Sequence, residues 1–352
     1  MLLYITAEDV FGDAPAPGAP RQQPRAPATL AALFDQGMRH HQRRAVLHCA
    51  ELGAVPDWKL DRLAIRIALY CREKLGLEPG LRAAVFGRPG WLWPAVEAAV
   101  QGWGATAVGI AHDAPDDVLL QALREAAPRF VVATDALSAN RLLELRTRGL
   151  AARVPLVAPR PATPAGEALA LELLLELGGT FDTAERAQAF RLMCRLVEPE
   201  TEALWHVSAS GTGRLTHAQA VKLVSAWLRT KPQQQGDVVQ LLPTRVTLGL
   251  RVALAACVGD GRSEIVLGED GAESAARLRP HGLRASASWL DEACRGCEPR
   301  WPAALRRRGS RQRLQHRLGE RLRWVEAEGR VDEATARALA AAGVELTAEE
   351  TG

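Results

Sequence analysis

The hydrophobic positions along this chain repeat with two different periods. Short apolar runs at residues 81–87, 106–111 and 237–242 predict buried strands. Between such runs lie stretches such as residues 114–127 and 216–228, where apolar positions recur with helical spacing. Strands that alternate with helices of this length predict βαβ units on a mainly parallel sheet.

Capping residues mark where several of these helices begin and end. Thr29 is placed to cap a first helix, and Thr216 with Gln219 forms a capping box before residues 217–228. Asp332 and Gly343 flank the last helical stretch, which is followed by a strand. The alternation of strand and helix therefore extends through most of the chain.

A proline-rich segment at residues 155–166 divides this pattern. We therefore predict a loose leader over residues 1–28, a first α/β lobe over 29–160, a helical connection over 161–200 and a second lobe over 201–352. The predicted fold class is α/β, with two consecutive lobes of mainly parallel sheet flanked by helices.

Composition narrows the class of protein without naming a function. The 352 residues include 47% hydrophobic residues, enough for a sizeable core, and the net charge of +3 argues neither for nor against a polyanionic partner. No long uncharged apolar run and no signal sequence are visible. Six scattered cysteines in apolar surroundings predict free thiols and a reducing, cytoplasmic setting.

A glycine-rich stretch is the main candidate for chemistry. It precedes the helix capped by Thr216, and a glycine-rich turn at a helix start can bind an anion through backbone N–H groups. The candidate binding residues are Ser208, Ser210, Gly211, Thr212, Gly213 and Arg214. Three interpretations stay open: a turn kept for packing, a weak phosphate site and a working ATP site.

The order of segments resembles a known family. Residues 77–135, 203–227, 238–270 and 321–352 are similar, in the same order, to parts of the adenylate-forming (AMP-binding) ligases, nearest to the long-chain acyl-CoA synthetases. The resemblance covers roughly residues 29–352. It implies the fold of that family's N-terminal domain, a phosphate loop at residues 208–214, and ATP or AMP with magnesium as cofactors only if the ancestral activity survives.

The candidate loop differs from the phosphate loop of the family that it resembles. The family's Pro-Lys-Gly is absent, and the loop is shorter by about five residues, the length of one such turn. Arg214 supplies a positive charge, but a planar guanidinium does not replace the family's lysine. Later family parts, including a C-terminal domain with its catalytic lysine, have no counterpart here. We therefore expect a truncated portion of the family with no catalytic residue.

Three further family motifs are altered. Thr244, Arg245 and Val246 stand where relatives carry an aromatic residue or histidine that shapes the substrate pocket. Glu326 and Glu328 replace a Ser-Gly-Gly stretch, and carboxylates there are expected to repel phosphates. The adenine-binding turn has no aromatic residue or Gly-x-Gly; its remaining polar residues are Thr347, Glu349, Glu350 and Thr351.

Two features lie outside the family comparison. Cys294 and Cys297 form a CxxC, which we interpret as incidental because a structural zinc site needs four ligands. The arginine-rich run Arg306–Arg313 is interpreted as a solvated helix face rather than a site for nucleic acid or membrane. No metal site is predicted, and nucleic acid is not the expected partner.

These observations favour a non-catalytic AMP-binding-like protein that binds a partner, and an acyl or nucleotide ligand in a remnant cleft. The alternative is a divergent acyl-CoA synthetase that receives missing parts from another chain, and a basic surface module is a third hypothesis. Because relatives cover the strand that resembles residues 344–347, we expect a protein partner or a homodimer at the C-terminal edge.

Overall fold

The structure is a computed structural model. It describes residues 27–40, 45–49, 52–148, 154–159, 168–209, 211–243, 245–268, 271–297 and 312–349. Nearly all of the predicted leader, Ser210 and most of the Arg306–Arg313 run lie outside the described residues.

The predicted apolar runs form strands, and further strands occur throughout the described residues. In chain order they are β1 (Ala45–Cys49), β2 (Gly53–Pro56), β3 (Arg82–Gly87), β4 (Thr106–Ala111), β5 (Val131–Ala133), β6 (Leu156–Ala158), β7 (Leu169–Ala170), β8 (Glu202–Ser208), β9 (Gly211–Thr216), β10 (Asp237–Leu242), β11 (Ser263–Leu267), β12 (Gly282–Ser286), β13 (Trp324–Glu328) and β14 (Glu345–Glu349).

Helices connect most of these strands. They are α1 (Leu30–His40), α2 (Asp57–Glu73), α3 (Leu92–Gly102), α4 (Asp116–Ala126), α5 (Ala136–Thr147), α6 (Leu171–Phe181), α7 (Ala184–Leu196), α8 (His217–Thr230), α9 (Leu248–Asp260), α10 (Gly271–Leu278), α11 (Ala287–Cys294), α12 (312–318) and α13 (Glu333–Ala342). Within the described ranges, each of them is too short or too polar to cross a lipid bilayer.

The described strands form two sheets of seven strands each. The first sheet has the order β14-β13-β12-β10-β11-β1-β2, and the second has the order β7-β6-β5-β3-β4-β8-β9. Neighbouring strands are parallel except at one end of each sheet, where β2 runs antiparallel to β1 and β9 to β8. The predicted fold class, two mainly parallel sheets flanked by helices, is confirmed.

The two sheets exchange strands across the predicted lobe boundaries. The hairpin β1–β2 comes early in the chain but pairs with β11, so it completes the first sheet. The hairpin β8–β9 follows the predicted boundary at residue 201 but pairs with β4 of the second sheet. The lobes predicted at 29–160 and 201–352 therefore do not coincide with the sheets.

A layer of helices lies between the two sheets. Side chains of α1, α2, α3, α8 and α9 share one buried core with the inner faces of both sheets. Separate cores cover the outer faces, with α4 and α5 on the second sheet and α11, α12 and α13 on the first. Strands such as β3 alternate between two buried faces, which explains why the apolar runs are nearly continuous.

The capping predictions are confirmed. Thr29 Oγ1 accepts a hydrogen bond from Ala32 N at 3.1 Å. Thr216 and Gln219 form the predicted capping box of α8. Asp332 accepts from the N–H of Thr335 at the start of α13, and Gly343 ends that helix in the left-handed conformation, at φ 75°. These local signals fix the start of three helices and the end of α13.

One prediction is corrected by the structure. A loop is predicted at residues 208–214, before α8, but residues 211–216 form β9, an antiparallel partner of β8. The reason is that β8 pairs with β4 on one side only, so its other side is open to the segment that follows it in the chain. Two helices, α6 and α7, occupy the predicted helical connection.

Candidate site between the two sheets

The start of α9 lies where the two sheets come together. It follows the carboxyl end of β10, and a Cβ built on Gly213 of β9 would be 3.8 Å from Cδ2 of Leu248. In open α/β sheets, ligands bind outside the carboxyl ends of the strands. We therefore take the space bounded by the β8–β9 hairpin, the start of α9 and the carboxyl ends of β12 and β13 as the candidate site.

The predicted phosphate loop is a tight hairpin turn. Ser208 pairs with Gly211, so only two residues connect β8 to β9. Ser208 Oγ is 3.3 Å from the carbonyl oxygen of Gly211, which has a φ of 142° that favours glycine. Thr212 and Gly213 continue along the strand. The candidate residues described by the structure are therefore brought together as a hairpin, not as a phosphate-wrapping loop; Ser210 lies outside the described residues.

Arg214 is already engaged within the protein. Its Cζ lies 3.8 Å from the ring centroid of Trp205, its cross-strand neighbour, and Nη2 lies 3.7 Å from Oε2 of Glu125. The side chain is half exposed. It stacks on the sheet edge as a cation–π pair.

A buried charged network lies on the inner face of the first sheet. Arg284, which is fully buried, donates from Nε to Oε1 of Glu328 at 3.1 Å and from Nη2 to Oγ1 of Thr247 at 2.9 Å. Its Nη1 lies 3.0 Å from Oε1 of Glu326. Thr247 in turn caps α9 by accepting from Leu250 N. The network therefore reaches the start of α9.

Glu326 connects this network to α8. Its Oε2 accepts a hydrogen bond from Nε1 of Trp227 at 2.9 Å, and its Oε1 lies 3.6 Å from Nζ of Lys231. Two cations thus face two carboxylates, so Glu326 and Glu328 do not form the uncompensated negative patch expected from sequence. The network is neutral as a whole, which is how buried charges are normally tolerated.

A second buried ion pair joins the helix layer to the other sheet. Arg251 of α9 is 1% exposed and donates to Oε1 of Glu97 at 2.6 Å. It also donates to the carbonyl oxygens of Trp205 and Ala107, both at 2.9 Å. Burial raises the pKa of the Glu97 carboxyl, while Arg251 acts to lower it. Arg251 therefore connects α3, α9, β4 and β8 at one point.

Among the residues of the site that the structure describes, His206 and Arg245 lack such partners. His206 is 7% exposed, and its Nδ1 has no hydrogen-bond partner among the described residues. It shares a strand face with Leu204, whose side chain belongs to the core between the sheets. Burial, helped by the charges of Arg251 and Arg245, lowers the pKa of His206 to about 3. Its imidazole is therefore neutral at pH 7.

The sequence motif that contains Arg245 predicts no role for this residue. In the structure Arg245 is half-buried, next to the start of α9, and no acidic side chain of the described part of the chain pairs with it. The networks around Arg251 and Arg284 were not anticipated either. A cation in an otherwise apolar stretch, Arg251 within residues 248–259, is the signal in the sequence for a buried pair.

Other sequence candidates are structural. Cys294 and Cys297 are both buried, and burial raises the pKa of the Cys294 thiol to about 12, so it is unreactive at neutral pH. All six cysteines are buried and none forms a disulfide. The described residues contain no group of three or more His, Cys, Asp or Glu side chains that could hold a metal ion.

A small cavity lies behind the site, between α1, α3 and α9. Its volume is about 30 Å³, and its lining includes Phe34, Pro94, Glu97, Gln101 and Leu254. Nε2 of Gln101 is buried without a hydrogen-bond partner within the described ranges. A cavity of this volume can hold a water molecule.

No protein-family model matches this sequence, and no curated protein is significantly similar to it. Solved structures do match the fold. The luciferase-like enzyme of the nonluminescent mealworm Zophobas morio aligns with a TM-score of 0.70 and 11% identity over 91% of this chain and 71% of that chain. The N-terminal domain of FACL13 from Mycobacterium tuberculosis aligns with a TM-score of 0.66 and 15% identity over 92% and 75%.

A benzoate CoA ligase from Burkholderia xenovorans LB400 aligns with a TM-score of 0.66 and 19% identity, over 92% of this chain and 61% of that chain. At these identities the likeness concerns the fold. The chain has the fold found in the N-terminal domain of adenylate-forming enzymes.

Proposed function

We propose that this protein, which has the fold of an adenylate-forming N-terminal domain, is a non-catalytic binding protein whose ligand site lies between the two sheets at the start of α9. The main support is the hairpin at Ser208–Gly211. A loop that binds ATP phosphates needs several N–H groups converging on one point. In β9 the glycines instead lie along a paired strand, where successive N–H groups point to opposite sides.

The charges around the hairpin support the same proposal. Arg214 packs on Trp205 and faces Glu125, so it is not positioned to neutralise a leaving pyrophosphate. Arg284 and Lys231 neutralise Glu326 and Glu328 on the inner face of the first sheet. A nucleotide or acyl group entering there would have to displace buried ion pairs.

The test is ATP–pyrophosphate exchange by the purified chain with a panel of fatty and aromatic carboxylic acids. We expect rates equal to a blank without protein, with an active acyl-CoA ligase as the positive control. Calorimetric titration with magnesium and ATP should show affinity weaker than the low-micromolar range, which corresponds to about −8 kcal/mol. Exchange well above the blank would refute the non-catalytic proposal.

The alternative function is that of a divergent acyl-CoA synthetase component. The fold shared with CoA ligases favours it. In that case ATP–pyrophosphate exchange should occur when a second chain that supplies the missing groups is added, and should not occur with this chain alone. The cytoplasmic setting inferred from the cysteines stays a prediction.

We also propose that β14 binds another chain, a protein partner or a second copy. Among the described strands β14 ends the first sheet and pairs only with β13. Glu345 N donates to Arg323 O, so the N–H groups of Leu346 and Ala348 point to the open side. Such an edge favours strand pairing.

Ala348→Pro tests this edge, because it removes an outward N–H and leaves the β13 side paired. Ala348→Ser is the matched control. Light scattering at tens of micromolar protein should give a dimer for the wild type and the serine variant, and a monomer for the proline variant. A monomeric wild type would exclude the homodimer and leave only a different partner.

A further inference from the structure

Three arginines lie at or near the start of α9, and Arg245 is the one for which the described residues supply no acceptor. Arg251 binds Glu97 and two carbonyl oxygens, and Arg284 binds Glu328 and Thr247. Arg245 has no ion-pair partner among the described residues, although it is half-buried. A partly desolvated guanidinium without an acceptor is unfavourable, so this position has a positive charge that an incoming group can neutralise.

The backbone next to Arg245 adds further donors. α9 is 13 residues long, and Thr247 caps it by accepting from Leu250 N at 3.0 Å. The amides of Leu248 and Gly249 have no acceptor within the helix, and the helix dipole adds positive potential at this end. A helix start in this state, next to a cation, favours an oxyanion.

An independent observation concerns His206. Its Nδ1 is buried without a partner, on the face of β8 that looks toward the helix layer, and its cross-strand neighbour Gly213 lies against Leu248. Buried polar atoms are almost always hydrogen-bonded, so an unpaired nitrogen here indicates that a bound group forms the hydrogen bond.

We propose that the ligand carries a compact oxyanion, a carboxylate or a phosphate, that binds Arg245 and the first amides of α9 beside His206. This rests on the proposed function, because it specifies the ligand class of the same site. Oxygen atoms of a single anionic group can accept hydrogen bonds from the guanidinium and from the helix amides at the same time.

The experiment is calorimetric titration of the full chain, in a phosphate-free buffer of low ionic strength, with inorganic phosphate in one arm and propionate in the other. We expect saturable binding of at least one anion. Arg245→Gln should weaken it by roughly tenfold or more, since a charge-assisted hydrogen bond is lost. The affinity of Arg245→Lys should lie between those of the wild type and Arg245→Gln. Arg229→Gln, on the exposed end of α8, should bind the anion as the wild type does.

The two arms identify the source of the oxyanion. Binding of phosphate alone indicates a phosphate ester, and binding of propionate alone indicates a carboxylic acid. No binding of either anion at millimolar concentration, or equal affinity of the wild type and Arg245→Gln, overturns the inference. If Arg245→Gln does not fold, Arg245→Lys and His206→Gln replace it, and unchanged affinity in both overturns the inference.

Failure of this inference is distinguishable from failure of the proposed function. Pyrophosphate exchange refutes the non-catalytic proposal, but it does not contradict an anion affinity that depends on Arg245. If exchange is absent and the wild type and Arg245→Gln bind the anion with equal affinity, only the inference is overturned.

Discussion

The β8–β9 hairpin and the space between the sheets use arginine in opposite ways. On the hairpin, Arg214 is half exposed, stacks on one ring and faces one carboxylate. Between the sheets, Arg251 and Arg284 are almost fully buried, and each has several acceptors. Removal of one partner from a buried ion pair lowers the free energy of unfolding far more than removal of one partner from an exposed pair does.

This difference shows where the fold depends on charge. The charges of the hairpin, where sequence resemblance places a phosphate loop, are partly exposed and are expected to contribute little to stability. The charges that connect the two sheets and the helix layer lie out of solvent. Arg245 belongs to neither group, because it is close to the buried pairs but has no partner of its own. Four variants test the comparison, beginning with the largest expected effect.

Removal of Arg251 should be the most damaging change. Arg251→Ala leaves Glu97 buried without its cation and two carbonyl oxygens without a donor. We expect the free energy of unfolding to fall by about 3–5 kcal/mol, measured by urea denaturation. The control Arg229→Ala, on the exposed end of α8, should change it by less than about 0.5 kcal/mol. Similar losses in both would contradict the contrast between buried and exposed arginines.

Acid should weaken the same inner layer through His217. This side chain is fully buried, its Nδ1 accepts from Leu30 N at 3.2 Å, and burial lowers its pKa from 6.5 to about 4. The unfolded chain therefore takes up a proton first as the pH falls below 6.5. The stability due to the neutral imidazole is complete above pH 6.5 and is lost down to about pH 4, a change of about 3 kcal/mol.

Urea denaturation of the wild type and His217→Gln between pH 7.5 and 4 isolates this effect. Glutamine keeps an acceptor for Leu30 N but does not titrate in this range. The stability difference between the two proteins should decrease toward pH 4. Parallel curves would mean that His217 does not titrate differently in the folded and unfolded states.

A moderate effect is expected at Glu326. Glu326→Gln removes the negative charge between Lys231 and Arg284 while an amide oxygen can still accept from Trp227. We expect a loss of about 2 kcal/mol in the free energy of unfolding. Glu125→Gln, at the exposed partner of Arg214, is the matched control; its amide oxygen can still accept from Gln121, and it should cost less than about 1 kcal/mol. An equal cost at both positions would remove the distinction.

The smallest effect should come from the hairpin itself. Arg214→Gln removes the stacking on Trp205 and the ion pair with Glu125, both partly solvated, and should lower the free energy of unfolding by less than about 1 kcal/mol. Thermal unfolding is sufficient to detect the change. A loss as large as that of Arg251→Ala would show that the hairpin is more important for stability than its exposure indicates.

Local signals in the sequence predicted most of the βαβ units, because apolar runs and caps depend on neighbouring residues. They failed at β9, where glycine and threonine resemble a loop until β8 provides a pairing partner. They also gave no indication that β1–β2 and β8–β9 belong to different sheets from the strands nearest to them in the chain.

The site was only partly predictable for a related reason. The hairpin residues were found from composition, but the distinction between Arg245 and Arg251 depends on acceptors such as Glu97, which lies 154 residues away in the chain from Arg251. A motif shows that a charge is present. Only the three-dimensional pairing shows which charge is already neutralised and which is free for a ligand.

The exchange of hairpins between the sheets has a consequence for dissection of the protein. A cut within residues 160–167 leaves β1 and β2 on one fragment and β11, their neighbour, on the other. It also separates β4 from β8. Each fragment alone would carry both sheets incomplete, with unpaired interior edges. The two fragments mixed together would have to recombine, so that fragment complementation, rather than independent folding of halves, is the behaviour this topology imposes.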